Sequence, residues 1–133
     1  MAKVIRVLDS WPLLAYFEDQ ASASAAIRIF EEASNDHKML ISAINWGEIL
    51  YLMERRYGLQ KRDQVEVIMD QMPLEVIPVE TNIAREAARM KVQFKIGYAD
   101  CFAAALAFLK EAELVTGDKD FRVLKDEIRI HWL

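Results

Sequence analysis

The fold class that this sequence predicts is three-layer α/β, with a central, mostly parallel five-stranded sheet flanked by helices. Three observations predict it. Five short apolar runs alternate with segments of helical spacing along the chain. Such alternation supplies the crossover connections that parallel strands require, and it covers both faces of the sheet with helices. The 133 residues are 53% hydrophobic with only 4 Gly and 3 Pro, enough for one core and too apolar for a disordered chain. A single domain over residues 1–133 is therefore expected.

Each element has its own signal. Val4–Leu8 reads as the first strand, stopped by Asp9. Residues 12–18 read as a short helix with Pro12 in its first turn. The Ala/Ser-rich stretch 21–26 runs into Ile27, Ile29 and Phe30, so it reads as a helix start, with the helix over 24–33. A second strand is expected over 38–41. It leads into a helix over Ala43–Tyr57, with Ser42 as N-cap and Gly58 as stop. Residues 61–72 form the next helix, ended by Pro73, and 74–79 the third strand. The helix over 82–94 starts after Thr81 and stops before Gly97. An Ala-rich helix over 99–113 leads to a fourth strand at 114–116, a short turn at 121–125 and a last strand at 128–132.

Composition excludes some functions. With 17 Lys and Arg against 21 Asp and Glu, the net charge of −4 argues against a strongly basic, nucleic-acid-coating protein, though not against a local basic patch. The lone Cys101 cannot form an internal disulfide and reads as a small buried hydrophobe. The N-terminal apolar stretch is interrupted by Arg6, and no window approaches the roughly 18 apolar residues of a membrane span. A soluble, cytoplasmic protein without a membrane is expected.

In open parallel sheets, ligands bind beyond the carboxyl ends of the strands, where the strand order reverses. Two aspartates sit at such ends, Asp9 after the first strand and Asp118 after the fourth. Asp also caps helices and starts turns, so either one alone is unremarkable. Glu48 is the only charge between Trp46 and Met53, on a helix apolar nearly all round, where an unpaired carboxylate is costly. Arg55 lies seven residues away, a poor helical pairing distance. Asp100 opens the apolar run Cys101–Leu109, in a first turn that also suits an acid for the helix dipole. Four such carboxylates suggest one cluster that repels itself unless cations neutralise it. Oxygen donors without His or Cys partners favour Mg²⁺ or Mn²⁺ over Zn²⁺. His37 and His131 lack ligand spacing and read as structural, and no Gly-rich phosphate loop or Gly-x-Ser-x-Gly is present. An acid-only metal site points to phosphoryl-transfer chemistry on a polyanion or phosphate ester.

Val-Leu-Asp-Ser, Trp-Gly-Glu-Ile-Leu, Tyr-Ala-Asp-Cys-Phe-Ala-Ala-Ala and Leu-Val-Thr-Gly-Asp-Lys-Asp-Phe, in that order, resemble the PIN domain. The chain's length is similar to that of the VapC toxins of prokaryotic toxin–antitoxin pairs. The resemblance implies a metal-dependent endoribonuclease using one or two Mg²⁺ (or Mn²⁺) ions on RNA, dimeric, and inhibited by a cognate antitoxin. It carries the acidic quartet onto Asp9, Glu48, Asp100 and Asp118. Asp120 becomes an accessory ligand or an alternative fourth acid, and Ser10 and Thr116 supporting hydroxyls. Trp11 and Trp46 sit beside motif residues with no stated need for indole.

RNA requires positive charge near the cleft. Candidates are Arg55, Arg56, Lys61 and Arg62, then Lys119, Arg122 and Lys125, then Arg85, Arg89, Lys91 and Lys95. Each group is also what a solvated helix face looks like. Two alternatives stand beside the nuclease: a non-catalytic PIN-like interaction module, and a phosphatase- or receiver-like α/β domain. Ser10-Trp11 after Asp9, and Val79-Glu80-Thr81 after the third strand, fit the second poorly.

Overall fold

The structure, a computed structural model, describes residues 4–18, 23–33 and 37–133. Its strands are β1 (Val4–Leu8), β2 (His37–Ser42), β3 (Leu74–Ile77), β4 (Glu113–Thr116) and β5 (Ile130–Trp132). The helices are α1 (Ser10–Phe17), α2 (Ala23–Glu32), α3 (Ala43–Tyr57), α4 (Leu59–Asp70), α5 (Thr81–Gln93) and α6 (Tyr98–Leu109), with a 3₁₀ helix over Lys119–Leu124. All strand pairs are parallel, in the order β3-β2-β1-β4-β5. From β1 the sheet grows one way through β2 and β3, then returns to the other side of β1 with β4. The strand order therefore reverses between β1 and β4, and the crevice beyond their carboxyl ends is the switch point.

Strand alternation explains the two cores. Val7 pairs with Leu40 on one side and Leu114 on the other, and all three join the cluster built by α5, α6 and the 3₁₀ helix. One residue on, Leu8 pairs with Ile41 and Val115, which face the opposite layer. There Leu13, Ile49, Met53, Val65 and Met69 of α1, α3 and α4 close the packing. The run of alanines at 103–105 and 107 is fully buried, which lets α6 approach both the sheet and α5. Cys101 is among these core residues, as expected, and burial pushes its thiol pKa up. Arg6 in β1 donates to Glu113 of β4 at 2.7 Å and Glu32 of α2 at 2.6 Å, tying three elements.

Several element ends differ from expectation, for local reasons. β3 stops at Ile77 because Pro78 has no N–H for the ladder. α4 begins directly after Gly58, whose φ of 93° turns the chain between two helices. α6 ends at Leu109, not 113. Glu111 takes a left-handed φ of 52°, and the Ala112 N–H returns to the Ala107 carbonyl at 2.9 Å, closing a Schellman cap. β2 includes His37 and Ser42, the last helix spans 119–124, and β5 starts at Ile130. Residues 21 and 22 of the Ala/Ser-rich stretch lie outside the described residues. Among the described residues no single helix is long and apolar enough to cross a membrane.

Phe121 is fully buried and anchors the 3₁₀ helix that follows Asp118 into the α5–α6 core. We predict that Phe121→Ala lowers unfolding free energy by about 3–5 kcal/mol in a urea titration with unchanged slope. A loss below about 1 kcal/mol would contradict this anchoring.

Candidate active site

β1 and β4 are in register so that Asp9 follows Leu8 opposite the position of Thr116 after Val115. The Thr116 hydroxyl donates to Asp9 Oδ2 at 2.9 Å across the switch point, and the Trp11 N–H donates to Oδ1 at 3.3 Å. Asp9 thus caps α1 while only 2% exposed, and Thr116 is fully buried beside it. The Asp118 N–H in turn donates to Thr116 Oγ1 at 3.0 Å, and Asp118 Oδ1 accepts from the Asp120 N–H at 2.9 Å as cap of the 3₁₀ helix. A continuous hydrogen-bonded chain therefore runs from Asp9 through Thr116 to Asp118.

The other two acids arrive on helices. Asp100 sits in the first turn of α6, half-buried, its carboxylate accepting from the Gly97 N–H. Glu48 lies within α3 and is also half-buried, with Asn45 before it and Ile49, Leu50 and Met53 after it all buried, as the apolar flanks of the helix imply. What joins these helices is Asn45, fully buried. Its N–H donates to Ser42 Oγ at 3.1 Å, its Oδ1 accepts from the Ser42 hydroxyl at 2.5 Å, and its Nδ2 donates to the Ala99 carbonyl at 3.1 Å. Asn45 thus links the start of α3, one turn before Glu48, to the residue preceding Asp100. Sequence reasoning passed over it, although a polar residue three before Glu48 in an apolar run was the available signal.

Electrostatics show which acids share a field. Burial pushes Asp9 well above the usual carboxylate range, with the Asp100 and Asp118 charges adding and its two hydrogen bonds opposing. Burial also lifts Asp100 to about 6, helped by Asp118, Glu48 and Asp120 and opposed by the Gly97 N–H. Asp118 acts on both Asp9 and Asp100, whereas exposed Asp120 acts on Asp100 alone. Ser10 is buried at the start of α1, next to Asp9, each of whose oxygens accepts one hydrogen bond, from Thr116 or from Trp11. Anionic oxygen donors of this kind suit a hard divalent cation. Among the described residues no three His, Cys, Asp or Glu side chains are grouped closely enough to hold one ion.

Trp46 packs against the α3–α4 core, whereas Trp11 lies over Gly117, beside the acids. The basic candidates divide. Arg56 pairs with Glu18, Arg62 with Glu54, and Arg89 with Glu86 and Glu127, as expected of ion-paired helix surface. Lys91 donates to the Ile96 carbonyl at 2.6 Å. Arg55 stacks on Tyr51 with its guanidinium carbon 5.3 Å from the ring centroid. Among the described residues no salt bridge engages Lys119, Arg122 or Lys125, which are exposed on the helix after Asp118.

The sequence profile described as PIN domain matches residues 6–127. No curated protein matches the chain significantly in sequence. Among solved structures, the chain is similar to one in VapBC2 from Rickettsia felis bound to a DNA fragment from their promoter. The identity is 16%, with 96% of this chain and 98% of that one covered and a TM-score of 0.79. It is similar to Mycobacterium tuberculosis VapC20, a sarcin–ricin loop cleaving toxin, at 19% identity, 89% and 93% coverage and TM-score 0.74. A toxin–antitoxin complex from Klebsiella pneumoniae matches at 20% identity, 88% and 90% coverage and TM-score 0.68.

Two predictions follow from this geometry. A carboxyl whose folded-state pKa is raised favours folding below its unfolded pKa, and that contribution is lost as pH rises through the folded value. In chelator, the melting temperature should therefore carry a component that falls between about pH 4 and 7. Asp100→Asn should remove part of it; a profile identical in wild type and variant would contradict the assignment. Asn45→Ala leaves the Ala99 carbonyl and the Ser42 hydroxyl short of a partner. We expect a loss of about 1–3 kcal/mol on chemical denaturation, and an unchanged midpoint would refute the link.

Proposed function

The chain belongs to the PIN domain family, and from that premise we propose that it is a Mg²⁺- or Mn²⁺-dependent endoribonuclease toxin restrained by a cognate antitoxin. The observation that carries this reading is Asp9, 2% exposed at the switch point and sharing its field with Asp100 and Asp118. A buried carboxylate among like charges calls for a counter-cation. Asp9, Asp100, Asp118 and Glu48 would hold one or two ions, with Asp120 as accessory. Family membership sets the phosphatase- or receiver-like alternative aside.

When bound, the divalent ion supplies Lewis-acid stabilisation of the phosphate and acidifies the attacking water. The chain's own residues do the rest. Thr116 and the Trp11 N–H orient Asp9 by holding both of its oxygens. Asn45 keeps the Glu48 helix against the Asp100 helix. Lys119, Arg122 and Lys125, beside Asp118, and Arg55, stacked on Tyr51, would take the flanking phosphates. Such contacts position a strand without reading its sequence. Likeness in fold to a sarcin–ricin loop cleaving toxin supports an exposed polynucleotide loop as the target, and RNA is the polymer we assign. Likeness to a toxin–antitoxin complex supports a protein inhibitor. Exposed Leu59, Val67 and Ile68 along α4 offer apolar surface suited to a protein partner, an antitoxin or a second copy in a homodimer. The cytoplasm is the compartment that fits these roles.

A second reading, the non-catalytic PIN-like interaction module, shares the family fold and draws on the exposed apolar face of α4. One experiment separates the two. The purified chain is incubated with a structured RNA pool across Mg²⁺, Mn²⁺ and pH, and its melting temperature is followed as metal is added. The nuclease reading predicts metal-dependent cleavage, a melting temperature that rises with metal, and loss of cleavage by about 100-fold or more in Glu48→Gln and Asp100→Asn with fold retained. Neither cleavage nor a metal-dependent shift in wild type would leave the interaction module.

A further inference from the structure

The Trp11 indole and Gly117 form a contact that the carboxylate chemistry does not explain. An added Cβ on Gly117 would come closer than 3.0 Å to Cζ2, Cη2 and Cζ3 of the Trp11 ring. Approach to three consecutive ring atoms at nearly equal distance puts that Cβ over the face of the six-membered ring, not beyond its edge. The indole therefore lies flat on the Gly117 backbone. Gly117 has no left-handed φ, since among the described residues Gly58 is the only glycine with positive φ. Its need for glycine is space for the ring, not backbone freedom.

Gly117 sits between the two residues that carry the hydrogen-bonded chain of the site. Thr116 donates to Asp9, and the Asp118 N–H donates to Thr116. Trp11 touches the same chain at its other end, because its own N–H donates to Asp9 Oδ1. The segment after β1 and the segment after β4 are thus joined twice within a few residues. One joint is the Thr116–Asp9 hydrogen bond, which fixes direction, and the other is the ring on the glycine, which fixes separation.

We propose that Trp11 is a positioning residue whose indole, seated on Gly117, sets the spacing of Asp118 from Asp9 for cation binding. This inference rests on the metal reading given above and adds a residue to it. Groups that orient ligands without touching the ion commonly change affinity by about 10–100-fold.

The test is a double-mutant cycle on the full chain with Mn²⁺ as the probe, its affinity read by the electron paramagnetic resonance of free ion, and melting temperature recorded alongside. Gly117→Ala and Trp11→Ala should each weaken Mn²⁺ binding by about tenfold or more. Trp11→Phe, which keeps a flat ring, should stay within about threefold of wild type. In the Trp11→Ala background the seat is vacant, so adding Gly117→Ala should cost little further. Equal cost of Gly117→Ala in both backgrounds would overturn the steric seat. Lower melting with unchanged Mn²⁺ affinity in Trp11→Ala would overturn the positioning role and leave simple packing. Absence of Mn²⁺ binding in wild type would instead refute the metal reading, while the four melting temperatures would still decide whether ring and glycine are coupled.

Discussion

Among the described residues, Asp9 is the carboxylate that this fold takes out of water, and it is left incompletely compensated. Removing an ionised group from solvent costs several kcal/mol even after relaxation. Against that, the structure sets one hydroxyl, from Thr116, and one backbone N–H, from Trp11. The nearby charges of Asp100 and Asp118 make the deficit larger. Burial and these neighbours raise its pKa well above the usual carboxylate range, so a proton or a nearby cation stabilises the folded state. The parallel pairing of β1 with β4 creates the condition, because it brings together Asp9 and Thr116, which lie 107 residues apart in sequence. Strand order, the buried Val7, Leu8, Leu114 and Val115 of β1 and β4, and the capped segment after β4 all serve to hold that junction closed.

Helix capping and acid clustering are the same feature here, where the sequence alone presented them as competing explanations. Asp9 caps α1, Asp118 caps the 3₁₀ helix, and Asp100 accepts from the N–H that precedes α6. Helix starts carry unpaired N–H donors and partial positive charge. Stationing three acids there lowers the cost of assembling them, so the cluster can exist before any cation arrives. Glu48 is the exception: it projects from the middle of α3 and has no such support. Its half-buried position is consistent with that, since an unsupported carboxylate is held best where water still reaches it.

The features legible in the sequence were those set by periodicity and by residue type at strand ends. The five runs, their parallel arrangement and the placement of Asp9 and Asp118 follow from alternation and from the switch-point rule. Features set by contact across the fold were not legible. Asn45 works by reaching Ala99, and nothing in its own segment names that partner. Gly117 reads as ordinary turn sequence until Trp11, far away in the chain, is found lying on it. The end of α6 escaped because a Schellman cap normally announces itself with Gly, and here Glu111 takes the left-handed position. Most basic residues could not be sorted into pairs and free charges, because Arg56 and Arg62 meet Glu18 and Glu54 only once α1, α3 and α4 are packed, whereas Arg89 and Glu86 lie within reach on α5 by spacing alone.

That sorting changes the meaning of the net charge of −4. Setting the four site acids aside leaves 17 of the 21, equal to the 17 Lys and Arg. Many of these remaining charges are matched locally, as Arg6 is by Glu32 and Glu113. Lys119, Arg122 and Lys125 form an exposed cationic flank after Asp118, next to the acids that share one field at the strand ends. On the proposed reading, a polyanion attracted to that flank meets repulsion from the acids until a cation neutralises them. Cation occupancy then raises affinity for the polyanion, and by linkage the bound polyanion must raise affinity for the cation to the same degree. A cleft that binds its substrate well only when loaded needs no separate gate. The self-repulsion of Asp9, Asp100 and Asp118 supplies the discrimination.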